Sequence, residues 1–141
     1  NDEKMADGMS GIVAAAAYSL GVIGGERART RLTEMLLDPR SDVRFNAATG
    51  LARLGDRASI PVLLEMLSIY RDHRDSRRSE SRQLAIAVSG IAAARHLLPF
   101  LSHPDREHLH QALESLCESR EVPPRVRMDA KASLLAISAA D

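Results

Sequence analysis

The sequence predicts an all-α fold, a solenoid of about three and a half two-helix units with seven helices in all. Three observations carry that prediction. The chain repeats itself at a spacing of 31 residues, as stacked supersecondary units do. Its apolar residues recur at offsets of three and four, one face of an α-helix, and nothing alternates as a strand would. Pro, Gly and Ser stand where those stripes begin and end.

The repeat is read directly from the residues. At a shift of 31, IVAAAAYSLGVIG (residues 12–24) lies over VRFNAATGLARLG (43–55), Asp7 falls on Asp38, and Glu34-Met35-Leu36 falls on Glu65-Met66-Leu67. A shift of 83 lays VRMDAKASLLAI (126–137) over 43–54 and puts Glu121 on Asp38. A weaker copy, AVSGIA (87–92), matches AATGLA (47–52) at a shift of 40, so the third unit carries extra residues in its loops.

The expected helices are 8–24, 27–37, 41–54, 58–70, 80–94, 105–118 and 124–138. In the third, Val43, Ala47, Leu51 and Leu54 form one stripe; in the fourth, Ile60, Leu63, Leu64 and Leu67 form another. Start signals are Ser41 after Asp38-Pro39, Ser59 before Ile60-Pro61, Ser102 before His103-Pro104, and Pro123-Pro124 ahead of the last helix. The alanines and glycines have a packing reason: inner helices in successive layers approach closely, and Ala47, Ala48, Gly50 and Gly55 permit it. GVIGG (21–25) lacks the preceding strand and the spacing of a phosphate loop, so it too is structural.

Composition narrows the class. Of 141 residues, 45% are hydrophobic and 27% charged, which predicts one folded domain spanning 1–141. Nineteen basic residues balance nineteen acidic ones, so no global field draws the chain to nucleic acid or an anionic membrane. The uncharged run Gly11 to Gly25 is fifteen residues long, short of the roughly 20 a spanning helix needs, and no membrane association is expected. The opening NDEKMADG is too acidic for a secretory n-region, and the expected compartment is the cytoplasm. Cys117, beside Leu113 and Leu116, is expected to be a packed, inert thiol. The chain begins and ends on an inner-type helix. It is therefore expected to be part of a longer solenoid or multidomain protein, with its end faces covered by further repeats, a partner or self-association.

Asp38, five residues, Val43-Arg44, Ala47-Ala48, Leu51, Leu54-Gly55 and then ASIPVLLEML resemble a HEAT repeat, and most closely the short bacterial type named after phycobilisome lyases. The resemblance is strong over 7–68, good over 121–138 and loose over 69–120. It implies a right-handed α-α superhelix in which the VRxxAA helix lines the concave face and the LLEML helix is outer. It also implies a polar ladder along the repeat turns, with Asp38 paired to Arg44 and Glu121 to Arg127. Val13 in the first unit, and Arg78 and Leu84 in the third, interrupt that ladder.

The candidate functional residues fall in three places. The concave face is expected to present Asn46, Thr49, Arg53, Asp129 and Lys131, a small and polar surface suited to a peptide or helix from another protein. The charged insertion 71–82 carries Arg71, Arg74, Arg77, Arg78 and Arg82. Its plain reading is a solvated loop; its functional reading is bidentate capture of carboxylate or phosphate groups. Four of the five histidines lie between His96 and His110, and Glu107, His110 and Glu114 share helical offsets. No second ligand set accompanies them, so surface histidines and no metal are expected.

Catalytic readings find little support. Deoxyhypusine hydroxylases of this repeat class use His-Glu dipeptides, and none occurs here. The related DNA glycosylases pair basic concave surfaces with aromatic residues, whereas this chain has four aromatic residues and no Trp. No nucleophile elbow, P-loop or cysteine-pair metal site is present. The sequence therefore points to a noncatalytic protein-binding scaffold with no cofactor and no catalytic residue. A bilin lyase-like role is the alternative the resemblance implies, and nucleic-acid binding through the arginine loop, against which the balanced charge argues, is the third.

Overall fold

The computed structural model describes residues 2–72 and 78–140, with side chains for 11–13, 15–72 and 78–138. Among these are seven α-helices and no strand: α1 (Asp2–Ile23), α2 (Glu26–Met35), α3 (Ser41–Arg53), α4 (Ile60–Leu67), α5 (Glu80–Leu97), α6 (His103–Glu118) and α7 (Pro124–Ala140). Short 3₁₀ turns, Arg57–Ser59 and Leu98–Phe100, precede α4 and follow α5. All seven expected helices are present. The first begins earlier than expected and the fourth starts with a 3₁₀ turn.

The start signals act mainly through proline. Pro61 and Pro104 sit in the first positions of α4 and α6, and Pro124 opens α7, where a missing N–H costs nothing. The expected serine caps do not form: Arg40, with extended backbone, precedes α3, and Ser102 makes no side-chain capping bond. Ser59 is fully buried inside the 3₁₀ turn, where its hydroxyl donates to the carbonyl of Asp56 at 2.8 Å. True side-chain caps come from Asp56, which accepts from Ala58 N, and Ser79, which accepts from Arg82 N. At the end of α3, Gly55 takes φ +74° so that its N–H reaches Ala52 O and the Asp56 N–H reaches Leu51 O, closing the last turn.

The helices form two layers. α1, α3, α5 and α7 lie side by side in sequence order, while α2, α4 and α6 back them: α2 on α1 and α3, α4 on α3 and α5, and α6 on α4 and α7. The larger apolar core runs through α3 to α7 and includes Leu63, Met66, Ile69, Ile91, Leu97, Leu109, Leu113 and Val126. A smaller core of Ala17, Leu32, Ala47 and Leu51 joins the first unit to the second. Small residues bring α1 and α3 close: a Cβ built on Gly21 would stand 2.6 Å from Gly50 Cα. Arg44 ties α3 to α4 by pairing with Glu65, and Arg57 grips Asp105 at the start of α6 through two hydrogen bonds, 2.8 and 3.2 Å.

The segment Glu80–Phe100 has the length and hydropathy of a membrane span, but its buried residues Ala87, Gly90, Ile91, Ala94 and Leu97 lie in α5, packed between α3, α4 and α7. That is the position of a core helix. The outer ends of the array expose apolar side chains, Ile12 (72%) and Ile23 (77%) on α1 and Met128 (71%) and Leu135 (63%) on α7.

Candidate functional site

The inner layer builds one groove. In α3, Asn46, Thr49 and Arg53 fall at offsets of three and seven and so share a stripe; in α5, steps of seven residues, about two turns each, put Arg82, Ser89 and His96 on one stripe. These two stripes face each other. Asp42, Phe45, Asn46, Thr49, Met66, Arg82, Ala85, Ile86 and Ser89 line a recess of about 160 Å³. Tyr18, Asn46, Thr49, Arg53, Ser89, Ala92, Ala93 and His96 line a second of about 360 Å³. Asn46, Thr49 and Ser89 belong to both, so the recesses are continuous. The first residues of both helices meet in one recess and the last in the other, which shows that α3 and α5 run in the same direction.

The groove has an apolar floor and charged ends. Phe45 (5% exposed), Met66 (1%) and Ala93 (7%) form its base. Asn46 donates through Nδ2 to Asp42 O at 2.8 Å, and Thr49 Oγ1 donates to Asn46 O at 2.9 Å, so both side chains are held by their own helix. Arg53 lies over the Tyr18 ring, 5.3 Å from its centroid. Neither Arg53, Arg82 nor His96 forms an ion pair among the described residues.

The polar rung of the second repeat turn is built differently from expectation. The Asp38 carboxylate holds Arg40, at 2.9 Å to both Nε and Nη2, and also accepts from Arg40 N. These bonds hold its pKa down to about 2. Arg44 therefore does not pair with the Asp38 carboxylate. It donates instead to the carbonyls of Asp38 (3.0 Å) and Pro39 (3.1 Å) and pairs with Glu65. Arg40 wins because it lies two residues from Asp38 and closes a short fork, whereas Arg44 is drawn across to the outer helix. Glu121 and Arg127 share no hydrogen bond or ion pair among the described residues. Glu121 is exposed, and the Arg127 Nε is buried without an acceptor.

Residues 7–86, more than half the chain, match the family model of HEAT repeats. The chain is a HEAT-repeat protein. HEAT repeats are commonly protein-interaction scaffolds, and the family is generally non-enzymatic. No curated protein and no solved structure matches the chain. The match is to HEAT repeats as a class and does not extend to the phycobilisome-lyase type.

Within this HEAT array the arginines of the insertion part company. Arg74 and Arg77 lie outside the described residues. Arg78 is folded inward, its side chain 8% exposed, 3.9 Å from Asp72 Oδ2 and 5.9 Å from the centroid of Phe45, whose ring Arg44 also approaches at 5.8 Å. Arg71 stands on the outer layer beside Tyr70 and His108 in a cleft between α4 and α6, whereas Arg82 stands at the mouth of the inner groove. Arg71, Arg78 and Arg82 thus do not form one cluster, because the chain carries them to the outer layer, the core edge and the inner layer in turn.

The concave set divides as well. Asn46, Thr49 and Arg53 line the groove; Asp129 and Lys131 do not. Asp129 occupies the position of Asn46 in the last unit, on α7. Lys131 is exposed on α7. It corresponds to Ala48, which is buried, so it stands one residue, about 100°, from the stripe. Burial pushes the Cys117 thiol up, and its Sγ points to Arg127 O at 3.8 Å. The histidines scatter: His96 faces the groove, His108 the outer cleft, and His110 pairs with Glu114 at 3.4 Å. Among the described residues, no three His, Cys, Asp or Glu side chains converge as metal ligands.

Tyr18, Phe45, Ile86, Ser89 and His96 were absent from the expected contact surface. A signal for two of them was present: a shift of 31 lays Tyr18 on Thr49, and a shift of 40 lays Ser89 on it. Two turns of helix on either side of Ser89 then lead to Arg82 and His96.

Proposed function

We propose that this HEAT array is a noncatalytic protein-interaction module that holds a segment of another protein along the groove between α3 and α5. The continuity of the two recesses is the observation that carries the reading. From Asp42 to Arg53 the groove wall is about 16 Å long at 1.5 Å per residue, the span of roughly five extended residues. Its walls belong to helices locked by the main core, so the surface is preorganised and a bound segment bears most of the ordering cost. Small side chains along its walls, Thr49, Ala85, Ser89 and Ala92, leave room for the partner's own.

Ser89 is exposed and common to both recesses, which makes Ser89→Trp a block that leaves the core untouched. Capture experiments with the wild-type protein, Ser89→Trp, and Glu107→Ala on the outer layer test the proposal. Partners retained by wild type and by Glu107→Ala but lost by Ser89→Trp support it. Identical capture by all three refutes it.

A further inference from the structure

We infer that the groove selects an acidic segment, with a partner carboxylate seated between Arg53 and His96 and an apolar side chain in the recess over Phe45, Met66 and Ile86; the inference rests on the groove being the contact surface. Arg53, Arg82 and the imidazole of His96 line the groove against one acid, Asp42. This local excess of donors stands on a chain whose formal net charge is zero, so it belongs to the groove and not to the whole surface. Carboxylates inside the molecule already hold its structural guanidinium groups: Arg40 has Asp38, Arg44 has Glu65 and Arg57 has Asp105. Arg53 is instead laid over Tyr18. Stacking uses the face of a guanidinium and leaves its in-plane N–H donors for a bidentate acceptor.

The two ends differ, and that sets a direction. At the α3 and α5 N-termini Asp42 stands beside Arg82 in the same recess, so a partner carboxylate gains little there. At the C-terminal end Arg53, Tyr18 and His96, all side chains with donor groups, line the larger recess with no acid among them. An acidic side chain or a chain-terminal carboxylate fits this end. Four or five extended residues away, the apolar floor takes a side chain of Val or Leu size.

A random hexapeptide library panned on the full chain, followed by resynthesis of the enriched peptides with a fluorescein label, tests the inference. The expected result is enrichment of Asp and Glu. Replacing the acid by its amide, or Arg53 by Ala, should each weaken binding about 10- to 100-fold, the loss typical of a charge-assisted hydrogen bond. The two changes together should cost no more than either alone, and Arg53→Lys should restore part of the affinity. Arg53 is exposed, so circular dichroism melts of the variants should match wild type. If the enriched peptides are displaced by Ser89→Trp yet lack acids and bind Arg53→Ala equally, the acidic preference is wrong and the groove stands. If no peptide is enriched, or binding ignores Ser89→Trp, the groove itself is wrong and this inference goes with it.

Discussion

Gly21 and Gly11 occupy the same helix and predict opposite outcomes for the same substitution. In Gly11→Ala the new methyl group meets nothing within 4 Å, so only helix propensity acts, and the variant should gain about 0.5–1 kcal/mol. In Gly21→Ala the propensity gain is the same, but the new Cβ would sit 2.6 Å from Gly50 Cα. Backbone cannot swing aside as a side chain does. To restore an ordinary contact of 3.4 Å, α1 must move off α3 by about 0.8 Å. A gap of that size forfeits roughly a quarter to a half of the dispersion energy of the groups facing it. Those groups include Ala17, Ala47 and Leu51, all fully buried. Overpacking of this kind costs about 2–3 kcal/mol against a helix gain of about 1, a net loss of about 1–2 kcal/mol. For a chain of this length the melting temperature should fall by roughly 3–7 °C. Because the substitution loosens the contact of α1 with α3, the loss should concentrate in α1. Urea melts give the total, and hydrogen exchange of the α1 amides gives its location. Gly21→Ala matching Gly11→Ala in stability and in α1 protection would refute the close approach of the two helices.

The remaining predictions concern single polar groups. Asp38 has a folded pKa of about 2 against an ordinary 3.8, so its stabilisation is present above pH 4 and disappears as pH falls toward 2. Asp38→Asn should therefore cost stability at pH 7, about 1 kcal/mol after solvent screening, and the gap in urea-derived free energy should close between pH 4 and pH 2. A gap that stays constant with pH argues against the carboxylate–Arg40 fork. Arg44→Ala removes the Glu65 pair and two carbonyl contacts together, and should destabilise by about 2 kcal/mol in urea unfolding. Glu65→Gln should recover part of that loss in a double-mutant cycle, and strict additivity would show the pair to be idle. Cys117, raised by burial, should react with a thiol reagent at pH 8 about tenfold or more slowly than a free cysteine, and full-rate labelling in the native state would contradict its packing.

Much of this molecule is legible from residue spacing. The 31-residue shift predicts the stacked units, and it also pairs Gly24 with Gly55, both of which adopt positive φ at the ends of inner helices. The stripe Asn46, Thr49, Arg53 is found on the groove because period 3.6 separates a helix's buried face from its open one. Periodicity carries that information since burial is decided one helix at a time. Which open side chains meet across two helices is a different matter. Arg82 and His96 join the groove because α5 runs alongside α3 in the same direction, a relation no local pattern contains. Long side chains add a second layer of choice: Asp38 takes Arg40, Arg44 turns to Glu65, and Arg78 folds onto Phe45. Each guanidinium reaches several acceptors, and the three-dimensional separation of those acceptors selects among them. Lys131 shows the scale of the difference. One residue's rotation, about 100°, is a small change along the chain and a change of face in the folded protein.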